Sequence, residues 1–330
     1  MKDVLETMWR NQGILFFRLV FLFSSFLLPL WLMADTVEIW NPASERGFQE
    51  ISGEILEVNR DTLEIRVEKK KRKYPYSKVR KILWEKSPQW LMGDEAFEKM
   101  EYANALECYR QELPREEKSW KQVALTVEMI RCLTRLGENP QALEMALQLL
   151  RREPLLTDEH YAVLPFLWKP NIADTASEAV AIRWMKQNPQ PNEILLCASY
   201  LLSSSRRNEM VAYLQSLSQE KEVRLASLAK AQLWRTEMVE MTVAKAQRWE
   251  EEMALIPEPL RGGSFFLLGE AWFQCGEWNR AALAYLRMFL LYPDTAYRLQ
   301  DALPKTATAL EKSGHPEESS LLQRVREKFP

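Results

Sequence analysis

The chain has few of the residue types on which catalytic and metal sites most often depend. Only two histidines, His160 and His315, occur in 330 residues. They leave little room for a histidine-based triad or a site with several histidine ligands. The sequence also lacks a phosphate-binding loop, a dinucleotide glycine fingerprint and a zinc-protease helix motif. Ten glycines are few for this length, and because closely wound β folds use glycine at many turns, the composition favours helices.

The cysteines and the net charge exclude further classes of site. Cys108 and Cys132 are the closest pair of the four cysteines, and 24 positions separate them, so neither a metal knuckle nor a redox pair is present. The formal net charge of −2 gives no global attraction for nucleic acid. Carboxylate pairs such as Asp94 and Glu98 lie one helical turn apart, but this spacing is common on exposed helices. The sequence therefore predicts no enzymatic activity, no cofactor, no metal and no nucleic-acid partner.

The first 34 residues have the pattern of an export signal. Three basic residues precede an apolar run at 19–33, and the small residue Ala34 follows it. An uncleaved signal anchor is the alternative, because counting from Ile14 gives about 20 residues, enough to span a membrane. The basic lead and the acidic residues after the run orient the body outside the cytoplasm. We expect an exported protein, periplasmic or membrane-anchored, that contacts the membrane through this segment if it is not cleaved.

A small β element is predicted next. Residues 35–50 carry no clear period and are interpreted as a linker. Within 51–86, Leu63, Ile65 and Val67 alternate with charged residues, which is the period of a strand. We expect a hairpin-based meander of three or four strands. The stretch GEILEVNRDTLEIRV resembles the opening hairpin of small Sm-like or SH3-like barrels.

The strongest charge run of the chain lies at the tip of this element. It consists of Lys69, Lys70, Lys71, Arg72 and Lys73. One interpretation is a contact with acidic lipid head groups or another polyanion. The other is a solvated hairpin tip without a ligand.

The helical body, 87–330, is organised around the stretch 262–293. Two amphipathic helices are joined there by a turn at Gly276, and small residues at Gly269 and Ala281 mark a close helix crossing. The residues that would surround the crossing are bulky: Phe265, Leu268, Trp272 and Tyr285. Trp278 follows the turn, and Pro293 closes the unit. This order resembles the tetratricopeptide repeat, a 34-residue helical hairpin.

Other parts of the body repeat the pattern. Residues 93–113 carry Gly93, Tyr102, Ala105 and Tyr109 at the spacing of Gly269, Trp278, Ala281 and Tyr285, although Met100 stands where glycine is usual. A third copy covers 123–154, and the middle, 156–261, matches only in period. The resemblance implies an all-α helical-hairpin solenoid, a tetratricopeptide-like superhelix of about six hairpins, preceded by the small β element and the signal or anchor helix.

The resemblance also implies a function. The first helices of tetratricopeptide hairpins line a concave groove that binds a peptide or a helix. The corresponding positions are Trp90, Asp94, Phe97, Glu98, Val127, Arg131, Thr134, Arg135, Phe266, Glu270, Phe273 and Gln274. Each aromatic residue in this set is either a contact for a partner or covered by neighbouring repeats. Arg131 and Arg135, one turn apart, could clamp a partner's carboxylate.

The predicted function is a non-enzymatic protein–protein interaction scaffold of the cell envelope. The partner would be another envelope protein that contributes a peptide or a helix. Two alternatives stay open. One is a module that binds polyanions or lipid head groups through the basic run, and the other is an envelope enzyme whose site has no recognisable motif.

Overall fold

The computed structural model describes residues 35–44, 46–153, 155–170, 172, 174–298, 300–320 and 322. The predicted signal peptide or anchor at 1–34 lies outside the described residues. The rest of the chain is mostly helical, with a small antiparallel sheet at its beginning. Two compact units result, one formed by the sheet up to residue 86 and one formed by 57–61 together with the helices from 87 onward.

The sheet has five strands, more than the three or four expected. The strands β1 to β5 are Asp35–Trp40, Phe48–Val58, Thr62–Val67, Lys70–Pro75 and Val79–Leu83. Their order across the sheet is β4-β3-β2-β1-β5, and β5 pairs antiparallel with β1. The prediction of a linker over 35–50 was wrong, because β1 and the start of β2 lie there. Asp35, Val37 and Ile39 are buried in alternation in β1, but only two of them are apolar, and this pattern is too short to recognise after the apolar run at 19–33.

Every second residue of the inner strands faces the core of the sheet. Ile55, Leu63 and Ile65 have no exposed side-chain surface. This is the period of two that a half-buried sheet requires. Gly53 allows a close approach between strands, since a Cβ atom there would lie 2.3 Å from the carbonyl oxygen of Arg66. The predicted strand period of the β element is therefore confirmed at β3.

The second unit consists of short helices that pack mostly on their sequence neighbours. We number them α1 to α14: Pro88–Glu98, Tyr102–Glu112, Ser119–Arg135, Asn139–Arg152, Asp158–Ala162, Thr175–Met185, Pro191–Leu201, Arg207–Leu217, Val223–Glu237, Val243–Glu252, Gly262–Gln274, Trp278–Leu291, Pro293–Arg298 and Leu303–Lys312. One continuous apolar core extends from α3 to α14. None of the helices in the described part of the chain is both long and apolar enough to cross a membrane.

In three stretches of the helical unit, the helices begin or end where the sequence pattern left the boundary open or placed it elsewhere. The pattern over 221–255 fits one long helix or two, and the structure has two. Thr242 caps the second of them, because its side chain accepts a hydrogen bond from the N–H of Lys245 at 3.3 Å. The helix expected over 157–168 ends at Ala162, and an irregular segment that contains Pro165 follows. The helix expected over 295–313 is divided into α13 and α14.

Candidate functional site

The α1–α2 and α11–α12 hairpins are built on the same close contact. A Cβ atom added at Gly269 would lie 2.6 Å from the ring of Tyr285, and one added at Gly93 would lie 2.5 Å from the ring of Tyr109. Both tyrosine rings are buried. Each helix pair therefore meets where only glycine leaves room for the partner's ring.

Three further contacts recur at the same spacing. The hydroxyl of Tyr109 donates to Asp94 at 2.8 Å, and that of Tyr285 donates to Glu270 at 2.7 Å. The ring centroids of Phe97 and Tyr102 lie 5.2 Å apart, edge to face, and so do those of Phe273 and Trp278. Next to each aromatic pair, the helix ends in a residue with positive φ, Met100 in one hairpin and Gly276 in the other. The two hairpins thus share a packing scheme and not only a sequence pattern.

Met100 stands at a turn where three comparable helix ends have glycine. Its φ is +62°, whereas the equivalent turns at Gly137, Gly276 and Gly314 have φ of +76°, +75° and +89°. All four turns close with the same backbone bond, for example from the N–H of Glu101 to the carbonyl oxygen of Ala96 at 2.9 Å. A left-handed conformation costs a non-glycine residue about 1–2 kcal/mol.

Met100→Gly should therefore stabilise the protein. The methionine side chain is exposed, so its loss removes little packing. We expect an increase of about 0.5–1 kcal/mol in the free energy of unfolding, measured by urea denaturation. Gly276→Ala is the matched control and should lower it by about 1 kcal/mol. Destabilisation by Met100→Gly would show that the side chain, and not the backbone, determines the stability of this turn.

The predicted groove positions are divided between buried and accessible residues. Trp90, Val127, Phe266 and Glu270 are buried, so these four are not available to a partner. Packing against neighbouring helices covers them, which is the alternative that the sequence left open for the aromatic positions. Glu98 and Gln274 are exposed. The remaining positions are partly buried: Asp94, Phe97, Arg131, Thr134, Arg135 and Phe273.

Arg131 and Arg135 hold a carboxylate of the same chain, whereas the resemblance implied a carboxylate of a partner. Nη2 of Arg131 donates to Oδ2 of Asp294 at 3.1 Å, and Nη2 of Arg135 donates to Oδ1 at 3.2 Å. Nη2 of Arg135 also lies 3.4 Å from the carbonyl oxygen of Pro293. We call these two arginines of α3 and Asp294 of α13 the arginine clamp.

The clamp lies beside an aromatic ring and an additional carboxylate. The guanidinium carbons of Arg131 and Arg135 are 5.8 Å and 6.0 Å from the centroid of the Phe97 ring. Nη1 of Arg131 also donates to both carboxylate oxygens of Glu128, at 3.1 Å and 2.9 Å. Burial lowers the pKa of Arg131, but Glu128 and Asp294 outweigh it, so the pKa is raised overall. The guanidinium therefore stays charged and can hold an anion.

Asp294 was missed at the level of the sequence. It lies 159 positions after Arg135, and no local pattern connects the two. The only local signal is that Pro293 and Asp294 occupy the first turn of α13, where proline and acidic residues are favoured. That signal predicts the start of a helix and gives no information on what the carboxylate contacts.

The basic run at the β3–β4 hairpin is divided between the two faces of an edge strand. Arg72 pairs with the core residue Ile65, whereas Lys71 and Lys73 pair with Arg66 and Glu64 on the opposite face. Nζ of Lys71 lies 3.1 Å from Oε1 of Glu64. Charged side chains on an edge strand also prevent pairing with other chains. The five basic residues are thus exposed but do not all lie on one face of the strand.

A cavity of about 260 Å³ lies at the start of α9 but contains none of the predicted site residues. Trp234, Lys230 and Leu255 are among its lining residues. Ser218 and Ser227 also line the cavity. The hydroxyl of each donates to the carbonyl oxygen of the residue three positions before it in the chain. In the described part of the chain, no group of three or more His, Cys, Asp or Glu side chains could hold a metal ion.

His160 is held as the neutral base. Burial lowers its pKa from 6.5 to about 4, and nearby Arg131 adds to the effect while Glu159 opposes it. In the unfolded chain the imidazole binds a proton below about pH 6.5. Stability linked to His160 is therefore present above pH 6.5 and is lost as the pH falls towards 4.

His160→Gln should weaken the dependence of stability on pH. Between pH 7 and pH 5 we expect the wild type to lose about 1–2 kcal/mol more than the variant, after allowance for partial exposure of the side chain. Urea denaturation at the two pH values measures the difference. An unchanged slope in His160→Gln would contradict the assignment.

No protein-family model matches the chain, and no curated protein matches it.

Proposed function

We propose that the chain is an exported, non-enzymatic scaffold that binds another protein of the cell envelope. In this proposal the helical unit is a tetratricopeptide-like array of hairpins. Its support is the shared packing scheme of the α1–α2 and α11–α12 hairpins, which stand at opposite ends of the helical unit. The export part of the proposal depends on the basic and apolar pattern of residues 1–34.

The arginine clamp is the observation that carries the binding proposal. Two guanidiniums one helical turn apart, beside the ring of Phe97, hold a carboxylate from a distant part of the chain. Charged hydrogen bonds of this kind contribute both affinity and geometric specificity at interfaces. Phe97 and Arg131 are also of residue types that are enriched at protein–protein interfaces. The partner would lie along α1 and α3 and end or turn near the clamp.

Site-specific photo-crosslinking tests this proposal. A photoreactive amino acid would replace Glu98, at the exposed end of α1, and in a second variant Glu107, which is exposed on α2. We expect a discrete adduct with an envelope protein from position 98 in intact cells and none from position 107. The same adducts from both positions, or none from position 98, would contradict binding along α1.

The polyanion-binding alternative has less support. The basic run is divided between two faces, and part of its charge is paired with Glu64. Because a polyanion needs a continuous positive surface, this arrangement favours a charged edge strand over a binding site.

A further inference from the structure

Asp294 contacts the surface that the proposed function assigns to a partner. The α13 helix packs on α3 as well as on α11 and α12. Through Asp294 it reaches Arg131, which precedes it by 163 positions. The predicted carboxylate site is thus occupied, and its occupant is an acidic residue at the start of a helix of the same chain.

The clamp does not use all of its donors. Nη2 of Arg131 donates to one oxygen of Asp294 and Nη2 of Arg135 to the other, so this carboxylate bridges the two guanidiniums. Nε of Arg131 is buried and has no hydrogen-bond partner. Because this atom is enclosed while Asp294 is in place, another carboxylate reaches it only by displacing Asp294, and it could then accept two parallel bonds, from Nη2 and Nε. The geometry therefore leaves an incoming carboxylate able to compete.

The contact is also accessible enough to exchange. About a quarter of the side-chain surface of Arg131 and of Asp294 is exposed, 27% and 24%. Arg135 is more enclosed, with 11% of its side-chain surface exposed. Arg131 retains its ion pair with Glu128 when Asp294 leaves, so release of Asp294 is compatible with a folded helical unit.

We propose that Asp294 is a built-in competitor at the partner site. In the free protein α13 holds the arginine clamp through Asp294. A partner protein that presents an acidic residue at the start of a helix displaces it, so that partner binding and release of α13 are coupled. This inference depends on the proposed function and specifies its partner chemistry and regulation.

Competition with a peptide copy of the chain's own segment tests the proposal. The probe is a fluorescent peptide of sequence YPDTAYR, residues 292–298, and its binding to the full chain is measured by fluorescence polarisation. We expect Asp294→Asn to bind it at least about tenfold more tightly than the wild type, since the occupant no longer competes as an anion. A peptide with Asn in place of Asp should bind the Asp294→Asn variant no more tightly than it binds the wild type. Equal binding of both peptides to both proteins would overturn the proposal.

A triple variant supplies the control for the clamp. Arg131→Gln with Arg135→Gln in the Asp294→Asn background should return peptide binding to the wild-type level or below. The three changes remove the charges of the clamp together, but Glu128 loses its ion pair with Arg131, so a wild-type circular dichroism spectrum is required of the triple variant. Retained tight binding would place the peptide elsewhere and overturn the assignment of the site.

Hydrogen exchange provides a readout that needs no variant. Excess probe peptide should accelerate amide exchange in 292–298 of the wild-type chain, because occupied arginines no longer hold α13. Unchanged exchange at saturating peptide would refute displacement. The crosslinking experiment at position 98 does not depend on Asp294. An adduct there with unchanged exchange refutes the competition alone, whereas absence of the adduct refutes the scaffold function.

Discussion

Arg235→Ala should lower the free energy of unfolding by about 3–5 kcal/mol. Arg235 is buried in α9, and Nη1 donates to the carbonyl oxygens of Leu167 and Ser199 at 2.9 Å and 2.6 Å. Nη2 donates to the carbonyl oxygen of Lys169 at 3.0 Å. The alanine variant would leave three backbone acceptors without this partner, each at a cost of about 1–3 kcal/mol when buried, and would also open a cavity.

Removal of the buried charge of Arg235 offsets only part of the loss in the free energy of unfolding. No carboxylate of the described residues forms an ion pair with Arg235, and burial lowers its pKa to about 9, with Arg207 adding to the effect. Arg235→Ala relieves that desolvation, but the irregular segment 163–170 loses the side chain that connects it to α7 and α9. Chemical denaturation followed by circular dichroism measures the change.

Two control variants separate packing from hydrogen bonding at Arg235. Arg235→Met retains most of the volume, so its loss of stability reports the unsatisfied carbonyl groups, and we expect about 2 kcal/mol or more. Arg206→Ala removes an arginine whose Nε lies 2.7 Å from Glu209 near the surface, and it should cost less than about 1 kcal/mol. Wild-type stability of Arg235→Met would contradict the role of Arg235 as a donor to buried carbonyl groups.

Gly269→Ala should destabilise the protein although it places a better helix former inside α11. At an exposed helix position this change adds up to about 1 kcal/mol of stability. Here the new methyl group would lie 2.6 Å from the buried ring of Tyr285. The ring is also fixed, because its hydroxyl bonds to Glu270, which pairs with Lys305 at 2.5 Å. We expect a loss of about 2–3 kcal/mol, measured by urea denaturation.

The equivalent change in the first hairpin tests whether the two crossings are the same. Gly93→Ala should lower the free energy of unfolding by a similar amount. Tyr109 has the position equivalent to Tyr285, and its hydroxyl bonds to Asp94 as that of Tyr285 bonds to Glu270. Gly269→Ala combined with Tyr285→Leu should cost less than the sum of the single changes, because the smaller side chain removes the clash. A stabilising Gly269→Ala, or strictly additive effects in the double variant, would show that the glycine is not required for the crossing.

The sequence predicts local structure in this protein better than it predicts contacts. Gly276 and Gly137 mark helix ends because only a few residue types tolerate positive φ, and that constraint is visible in the sequence. Gly269 and Tyr285 are predictable for the same reason, since a close crossing limits side-chain size. The register of the two hairpins and their packing could therefore be inferred from residue types at fixed spacing.

The contacts of Arg235 and Asp294 could not be inferred in this way. Arginine is usually exposed, so Arg235 in an amphipathic helix is expected to face water. Its acceptors include the backbone carbonyl oxygens of Leu167 and Lys169, 68 and 66 positions earlier, and that of Ser199, 36 positions earlier, and carbonyl groups leave no trace in the sequence. The resemblance implies that Arg131 and Arg135 bind a partner's carboxylate, but the carboxylate that they hold, that of Asp294, is determined by the tertiary fold.

Recovery of the envelope partner by three versions of the full chain tests the central claim most directly. After crosslinking in intact cells, the account predicts more of the position-98 adduct from Asp294→Asn than from the wild type, and little from the triple variant with Arg131→Gln, Arg135→Gln and Asp294→Asn. Replacement of the basic run 69–73 by glutamine should leave the wild-type amount. Equal recovery from the triple variant and the wild type, or loss of the adduct on replacing the basic run, would contradict the account.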